Sequence, residues 1–272
     1  MCIRDRVDYE QIRFETRKAV GLITLNRPAR LNAWTKQMSN EMSHAIGVCN
    51  DDPEIGAIVI TGEGRGFCAG ADIEDSFKAR LDGADPEAEG PPATNWVQLV
   101  RESKPIIAAV NGASVGVGAT FILPADVIIA SEQAKFAMAF VKMGLVPELA
   151  SSHFLVARMG FGRANEMCLT GKLYSAAEAH EMGLVDRLVP HDELLDSAFA
   201  MADLMAANPS TQARWIKQLL TANGSEADLN AAMTREGEML AKAFVSPEHK
   251  EAVAAFLEKR PPDFAAAAKA GS

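Results

Sequence analysis

The sequence predicts an α/β fold built around a mostly parallel sheet, and three observations support this class. Short apolar runs recur along the first half of the chain, each followed by a turn and several by a helical pattern. The runs at 57–60 and 105–110 are apolar throughout, and 126–130 is apolar after Asp126, as parallel strands buried on both faces are. The length of 272 residues, with 48% hydrophobic side chains, suits one large domain with an appendage.

The first elements are a predicted hairpin and a helix. The runs 12–14 and 20–25 read as its two strands, and Pro28 ends the second strand because proline cannot donate to a ladder. Thr35 is a predicted N-cap for a helix that extends to Cys49, with apolar residues at helical spacing. Residues 75–95 are acidic and proline-rich and predict a loop or lid, after which strands resume, including 135–137.

From residue 161 helical patterns dominate. Ser175 and Glu178 form a predicted capping box, and amphipathic stretches follow at 191–207, 211–220 and 228–244. Ser246 and Pro247 predict the N-cap and first residue of a further helix. We expect a core domain at 7–200 and a helical oligomerisation region at 201–272, while residues 1–6 resemble a translated sequencing adapter and are left out of the fold.

Composition narrows the class of partner. The net charge is −9, so a polyanion such as nucleic acid is not an expected ligand. The four cysteines form no metal-binding or CxxC spacing, which favours a reduced cytoplasmic setting. No apolar run reaches the roughly 20 residues that cross a bilayer, so we expect neither a metal site nor a membrane span.

Two glycine-rich segments, 65–73 and 111–120, each follow a predicted strand. Such turns present backbone N–H groups that suit a developing oxyanion. Each segment alone is equally compatible with a tight turn that binds nothing.

Together with 26–33, 169–171, 179–185 and 254–260, these segments resemble the enoyl-CoA hydratase/isomerase (crotonase) superfamily over about residues 9–264. The resemblance implies a spiral of repeated ββα units with a helical C-terminal oligomerisation region. It also implies homotrimers, often paired into hexamers, and an acyl-CoA substrate. No cofactor is needed beyond the coenzyme A that the substrate carries.

The resemblance assigns the two oxyanion-hole donors to the N–H groups of Ala69 and Val117. It implies further substrate and coenzyme A contacts, which are Ala29, Arg30, Leu31, Cys68, Ala71, Asp72, Ile73, Thr120, Phe140, Phe256 and Lys259. Phe256 and Lys259 correspond to positions that often come from a neighbouring subunit, although Lys259 also reads as a solvated helix-end lysine. Cys68 has no adjacent base in the sequence and also reads as a small packing residue.

The departures from the family pattern bear on the reaction. Thr120 and Phe140 occupy the positions of the two glutamates that hydratases use, and neither is a general base near neutral pH. Glu148 lies in a segment similar to that of Δ3,Δ2-enoyl-CoA isomerases, where this side chain moves the proton. An apolar setting would raise its pKa, although a glutamate here could also cap the helix that begins near Leu149.

The sequence therefore predicts an acyl-CoA enzyme that stabilises a thioester enolate, with Δ3,Δ2-enoyl-CoA isomerisation as the leading reaction. The alternatives are another reaction through the same oxyanion hole, namely hydration, thioester hydrolysis or decarboxylation, and a non-catalytic acyl-CoA binding protein. His153 invites a catalytic reading, but no Ser-His-acid order accompanies it, so a packing or surface role is expected.

Overall fold

The computed structural model describes residues 8–73 and 94–271. The N-terminal leader 1–6, Glu74, Asp75 and nearly all of the predicted loop 75–95 lie outside the described residues. The strands are β1 (Ile12–Arg17), β2 (Val20–Leu25), β3 (Ala57–Gly62), β4 (Gly66–Cys68), β5 (Ile106–Val110), β6 (Ala113–Val115), β7 (Val127–Ser131), β8 (Lys135–Ala137), β9 (Tyr174–Ser175) and β10 (Arg187–Val189).

The helices are α1 (Lys36–Asp51), α2 (Trp96–Glu102), α3 (Val117–Thr120), α4 (Ser151–Met159), α5 (Phe161–Thr170), α6 (Ala176–Met182), α7 (Leu194–Ala206), α8 (Ser210–Asn223), α9 (Leu229–Phe244), α10 (Pro247–Glu258) and α11 (Phe264–Gly271). Short 3-10 helices occupy Pro28–Arg30, Ala139–Met143 and His191–Glu193. The predicted caps are confirmed: Thr35 accepts from the N–H of Met38, Ser175 and Glu178 form the capping box, and Ser246 caps α10.

Within the described residues, the strands form two sheets. The larger sheet has the order β1-β2-β3-β5-β7-β10, in which only the β1–β2 hairpin is antiparallel. The smaller sheet has the order β4-β6-β8-β9, with β4, β6 and β8 parallel. The predicted α/β class is therefore confirmed, and the strand–turn–strand–helix units wind as a spiral does.

The larger sheet is buried on both faces, which explains its continuous apolar strands. One face of β3 points Ile58 and Ile60 toward α1 and the smaller sheet. The other face points Ala57 and Val59 toward α7. Helix α7 crosses residue 200, so the predicted boundary between 200 and 201 falls inside a continuous helix that packs on this sheet.

Helices α8 to α10 carry large apolar side chains that are solvent-exposed in the single chain. Leu229, Met233 and Phe244 on α9 are 74%, 67% and 58% exposed, and Phe256 on α10 is 82% exposed. Exposed apolar side chains grouped on consecutive helices are typical of a surface that another molecule covers. Among the described residues, no helix is long and apolar enough to cross a membrane.

Candidate active site

The two glycine-rich segments meet because each contains a short strand. The sequence predicted turns for both, but Gly66–Cys68 and Ala113–Val115 are β4 and β6, and they pair in parallel. Gly66 lies opposite Ala113, and Cys68 lies opposite Ser114. Because parallel strands end at the same edge of a sheet, the chain after Cys68 and the chain after Val115 emerge side by side.

The contact between the two segments leaves no room for side chains. A Cβ added to Gly118 would lie 2.0 Å from the carbonyl oxygen of Cys68, and one added to Gly112 would lie 2.1 Å from that of Arg65. Glycine is therefore required at both positions for backbone approach. The hydroxyl of Ser114 donates to the carbonyl oxygen of Gly118 at 2.9 Å and holds the start of α3 against β6.

Two asparagines attach these segments to the neighbouring turns. The sequence patterns predicted no role for either. The side chain of Asn32 accepts from the N–H of Arg27 and donates to the carbonyl oxygens of Glu63 and Gly66. Asn111 likewise donates to the carbonyl oxygen of Gly64 and accepts from the N–H of Gly62. Their occurrence in otherwise apolar or glycine-rich segments is the signal that could have identified them.

The segment 69–72 has a neighbour on its other side. The N–H of Ala69 donates to the carbonyl oxygen of Leu31 at 3.1 Å. Farther along, the N–H of Trp34 donates to Gly70 and the N–H of Asp72 donates to Trp34, which makes a parallel bridge between Trp34 and Ala71. The predicted donor Ala69 is therefore already hydrogen-bonded in the ligand-free chain, contrary to the expectation that its N–H is free.

Ala71 has the geometry that was expected of Ala69. In a parallel bridge, the residue whose two neighbours bond to the partner strand directs its own N–H to the opposite side. Here that side is the one occupied by β6, since β4 lies between β6 and the segment 31–34. Among the described residues, the N–H of Ala71 has no hydrogen-bond acceptor.

Val117 lies two residues beyond the end of β6. It follows Gly116, which adopts a positive φ of 55°, and it is the first residue of α3. Its N–H has no acceptor within the described part of the chain, as expected for the first turn of a helix. The N–H groups of Val117 and Ala71 thus follow the ends of adjacent strands, and neither has a hydrogen-bond partner in the described part of the chain.

Glu148 reaches this site through Thr120. The Thr120 hydroxyl lies 2.5 Å from Oε1 of Glu148 and 3.3 Å from the carbonyl oxygen of Val117. The interpretation of Glu148 as a helix cap is wrong, because Ala150 is the N-cap of α4 and no side chain caps that helix. Leu149 and Ala150 both have φ near 54°, and these two left-handed residues separate Glu148 from the helix.

The surroundings of Glu148 favour its neutral form. The residue as a whole is exposed to solvent in the single chain. Protein atoms nevertheless crowd its carboxyl group, and this desolvation raises its pKa above the ordinary value of 4.5, while the hydrogen bond from Thr120 lowers it by less. A carboxyl group with a raised pKa, next to unpartnered N–H groups, can accept a proton from a bound acid.

The two positions at which the family resemblance predicted glutamate in a hydratase hold no carboxylate. Thr120 is fully buried, and Phe140 is a half-buried side chain that packs against the main core. Among the described residues, no group of three or more His, Cys, Asp or Glu side chains is arranged to hold a metal ion. The carboxyl group of Glu148 is hydrogen-bonded to the segment 111–120 through Thr120.

Several predicted contact residues lie in the two segments around Leu31 and Ala71. Ala29 and Arg30 are exposed in the 3-10 helix Pro28–Arg30, and Leu31 follows it. Ile73 is 64% exposed, next to Asp72. The carboxylate of Asp72 is 2.8 Å from the guanidinium of Arg27, so it stabilises the loop and is not free to meet a ligand.

The remaining predicted residues lie apart or are buried. Cys68 is fully buried and burial raises the pKa of its thiol to about 12, which agrees with a packing role. His153 is exposed and packs edge-on against Phe154, with no hydrogen bond to Glu148. Phe256 and Lys259 lie at the C-terminal end of α10, and no hydrogen bond or ion pair among the described residues connects their side chains to the donor segments.

The chain is similar to known proteins over nearly its whole length. The enoyl-CoA hydratase/isomerase family model matches residues 15–267. "Probable enoyl-CoA hydratase echA8" of Mycobacterium tuberculosis is 40% identical over 94% of this chain and 98% of the relative. "1,2-Epoxyphenylacetyl-CoA isomerase" of Escherichia coli is 35% identical over 91% of this chain and 95% of the relative.

Solved structures agree with the sequence comparisons. An enoyl-CoA hydratase from Polaromonas sp. superposes with a TM-score of 0.84 at 29% identity, over 93% of this chain and 98% of that chain. An enoyl-CoA hydratase/isomerase from Mycobacterium abscessus superposes with a TM-score of 0.83 at 31% identity, over 94% of this chain and 99% of that chain. The predicted resemblance is confirmed, and the chain belongs to the enoyl-CoA hydratase/isomerase family.

Proposed function

We propose that this enzyme isomerises a 3-enoyl-CoA to the 2-enoyl-CoA, with Glu148 as its one general base. The observation that carries the proposal is the hydrogen bond between Glu148 and Thr120, which holds a carboxyl group of raised pKa against the first turn of α3. Moving a double bond needs one base that removes a proton and returns it elsewhere, and no water. The absence of a carboxylate at Thr120 and Phe140 is compatible with that requirement.

The oxyanion hole consists of the N–H groups of Ala71 and Val117. Ala71 replaces Ala69 in this role because the N–H of Ala69 is hydrogen-bonded to Leu31, whereas that of Ala71 faces the β6 side. Two such donors stabilise the negative charge that develops on the thioester oxygen, and one donor of this kind contributes about 3–4 kcal/mol.

The reaction proceeds in two proton transfers. Glu148 takes a proton from C2 of the substrate, and the electrons of the broken C–H bond form an enolate whose oxygen accepts from Ala71 and Val117. The enolate is conjugated with the double bond between C3 and C4. Glu148 then gives the same proton to C4, which leaves the double bond between C2 and C3 and restores the carboxylate.

Coenzyme A lies along the exposed 3-10 helix Pro28–Arg30, with Ala29, Arg30 and Leu31 in contact. Phe256 and Lys259 contact it from a neighbouring subunit. The exposed apolar side chains of α8 to α10 support an oligomer, because their burial removes that surface from water. A homotrimer, alone or paired as a hexamer, is the assembly we propose.

Hydration is the second candidate, because several relatives are named enoyl-CoA hydratase, including the mitochondrial enzyme of Pongo abelii at 34% identity. Hydration by the two-glutamate route requires carboxylates at the positions of Thr120 and Phe140, and neither side chain is a general base near neutral pH. Another relative, at 35% identity, is named 1,2-epoxyphenylacetyl-CoA isomerase, which is an isomerase that acts on a different class of acyl-CoA.

Product analysis separates these reactions. The enzyme is incubated separately with a 3-enoyl-CoA and with a 2-enoyl-CoA, and the products are identified by chromatography and mass spectrometry. We expect conversion of the 3-enoyl thioester to a conjugated isomer of the same mass. The gain of one water would assign hydration, and free coenzyme A or loss of carbon dioxide would assign hydrolysis or decarboxylation.

A further inference from the structure

The Thr120 hydroxyl has two acceptors and one hydrogen. It is fully buried, and its oxygen lies 2.5 Å from Oε1 of Glu148 and 3.3 Å from the carbonyl oxygen of Val117. A hydroxyl group donates one hydrogen bond but can accept two. The direction of the bond to Glu148 therefore depends on whether the carboxyl group is ionised.

Each protonation state of Glu148 has a satisfied arrangement without movement of heavy atoms. When Glu148 is ionised, the Thr120 hydroxyl donates to the carboxylate in a charge-assisted bond. When Glu148 carries a proton on Oε1, that O–H donates to the Thr120 oxygen. The hydroxyl hydrogen then rotates to the carbonyl oxygen of Val117, and Thr120 itself neither gains nor loses a proton.

We propose that Thr120 is a positioning residue whose hydroxyl reverses its hydrogen bond as Glu148 gains and loses the substrate proton. This inference rests on the proposed role of Glu148 as the base. A partner that only donates could not accept from the O–H of the protonated acid, and a hydrocarbon could form no hydrogen bond with either state. The threonine hydroxyl can bond to Glu148 both before and after the carboxylate takes the substrate proton.

The test compares Thr120→Val, which removes the hydroxyl at nearly constant shape, with Thr120→Ser, which keeps it. The carbonyl oxygen of Val117 still accepts from the N–H of Phe121 at 3.0 Å in either variant, so the start of α3 keeps a bond there. Thr61→Val is the matched control, because the Thr61 hydroxyl is also buried and donates to a backbone carbonyl, that of Ala109 at 2.9 Å.

The first readout is independent of turnover. Glutamate labelled with ¹³C at its carboxyl is titrated by NMR in the intact enzyme, with Glu148→Gln used to assign the Glu148 signal. We expect Thr120→Val to raise the pKa of Glu148 by about one unit, and Thr120→Ser and Thr61→Val to leave it near the wild-type value. An unchanged pKa in folded Thr120→Val overturns the proposal, whatever reaction the enzyme catalyses.

The second readout is the pH profile of isomerisation. We expect the acid limb of kcat in Thr120→Val to move to higher pH with a loss of about tenfold or more in kcat, and Thr120→Ser to restore both. If Thr120→Val shifts the pKa but leaves the profile unchanged, or if Thr120→Ser fails as Thr120→Val does, the hydroxyl has no part in the proton transfers. Wild-type enzyme without isomerase activity refutes the proposed function but leaves the NMR titration decisive for Thr120.

Discussion

The closest contact in the site is between the backbones of the two donor segments, and Gly118→Ala tests its importance. The new Cβ would lie 2.0 Å from the carbonyl oxygen of Cys68, whereas ordinary contact begins near 3.4 Å. The two segments would therefore have to separate by about 1.4 Å. Because Val117 precedes Gly118 and Ala71 follows Cys68 by three residues, this separation widens the gap between the two N–H donors.

The expected result is a loss of catalysis larger than the loss of stability would explain. Misplacement of a reacting group by about 1 Å costs on the order of 10²-fold in rate, and loss of one oxyanion donor costs about 10²–10³-fold. We therefore expect kcat to fall by about 10²–10³-fold. Overpacking of this kind lowers the free energy of unfolding by about 1–3 kcal/mol.

Two matched substitutions separate these effects. Gly112→Ala places a Cβ 2.1 Å from the carbonyl oxygen of Arg65, at the other end of the β4–β6 pair, so it should lower stability similarly but activity much less. Gly47→Ala lies within α1 with nothing within 4 Å of the new Cβ, and it should raise stability by about 1 kcal/mol without changing activity.

The assay is steady-state isomerisation of a 3-enoyl-CoA, together with urea denaturation of each variant. Wild-type kcat in folded Gly118→Ala would refute the role of this backbone contact in placing the two donors. Equal losses of activity in Gly112→Ala and Gly118→Ala would refute it too, because separation at the donors would then not be the cause.

Three further predictions concern ionisable groups. Burial raises the pKa of Glu148 above 4.5, and the base must be ionised to accept a proton. The acid limb of the pH profile of kcat should therefore lie above pH 4.5, and an acid limb at the ordinary glutamate pKa would contradict this. Cys68, with a pKa of about 12, should resist iodoacetamide at pH 8 in the native enzyme, whereas the partly exposed Cys168 reacts slowly; mass spectrometry of labelled peptides decides. Lys217→Met should lower the free energy of unfolding by about 3 kcal/mol, because it removes a buried ammonium paired at 2.8 Å with Asp126; an unchanged urea midpoint would refute the role of this ion pair.

The sequence predicted those elements whose signals are local. Continuous apolar runs identified β3, β5 and β7, and the caps Thr35, Ser175 and Ser246 were read correctly because a polar side chain bonds to amides three residues away. Strands β4 and β6 were missed because each has three residues in a small-residue, glycine-rich context that carries no apolar alternation.

The sequence did not predict the directions in which the backbone N–H groups and the Glu148 side chain point, because contacts between distant parts of the chain set these directions. The bridge between Ala71 and Trp34 decides whether the N–H of Ala69 or that of Ala71 points toward β6, and these two bridged residues lie 37 positions apart in the sequence. The capping alternative for Glu148 failed because two successive left-handed residues turn its side chain toward Thr120. The helix Trp96–Glu102 was missed because it directly follows an acidic, proline-rich stretch.

The proposed isomerisation depends on Glu148 as the base that moves the substrate proton. The most direct measurement compares wild type, Glu148→Gln and Glu148→Asp for conversion of a 3-enoyl-CoA, with binding of a saturated acyl-CoA measured in parallel. We predict that Glu148→Gln loses most of its activity while still binding the saturated ester, and that Glu148→Asp retains part of the activity. Wild-type turnover in Glu148→Gln, or a wild type that binds acyl-CoA but converts no 3-enoyl thioester, would contradict the account.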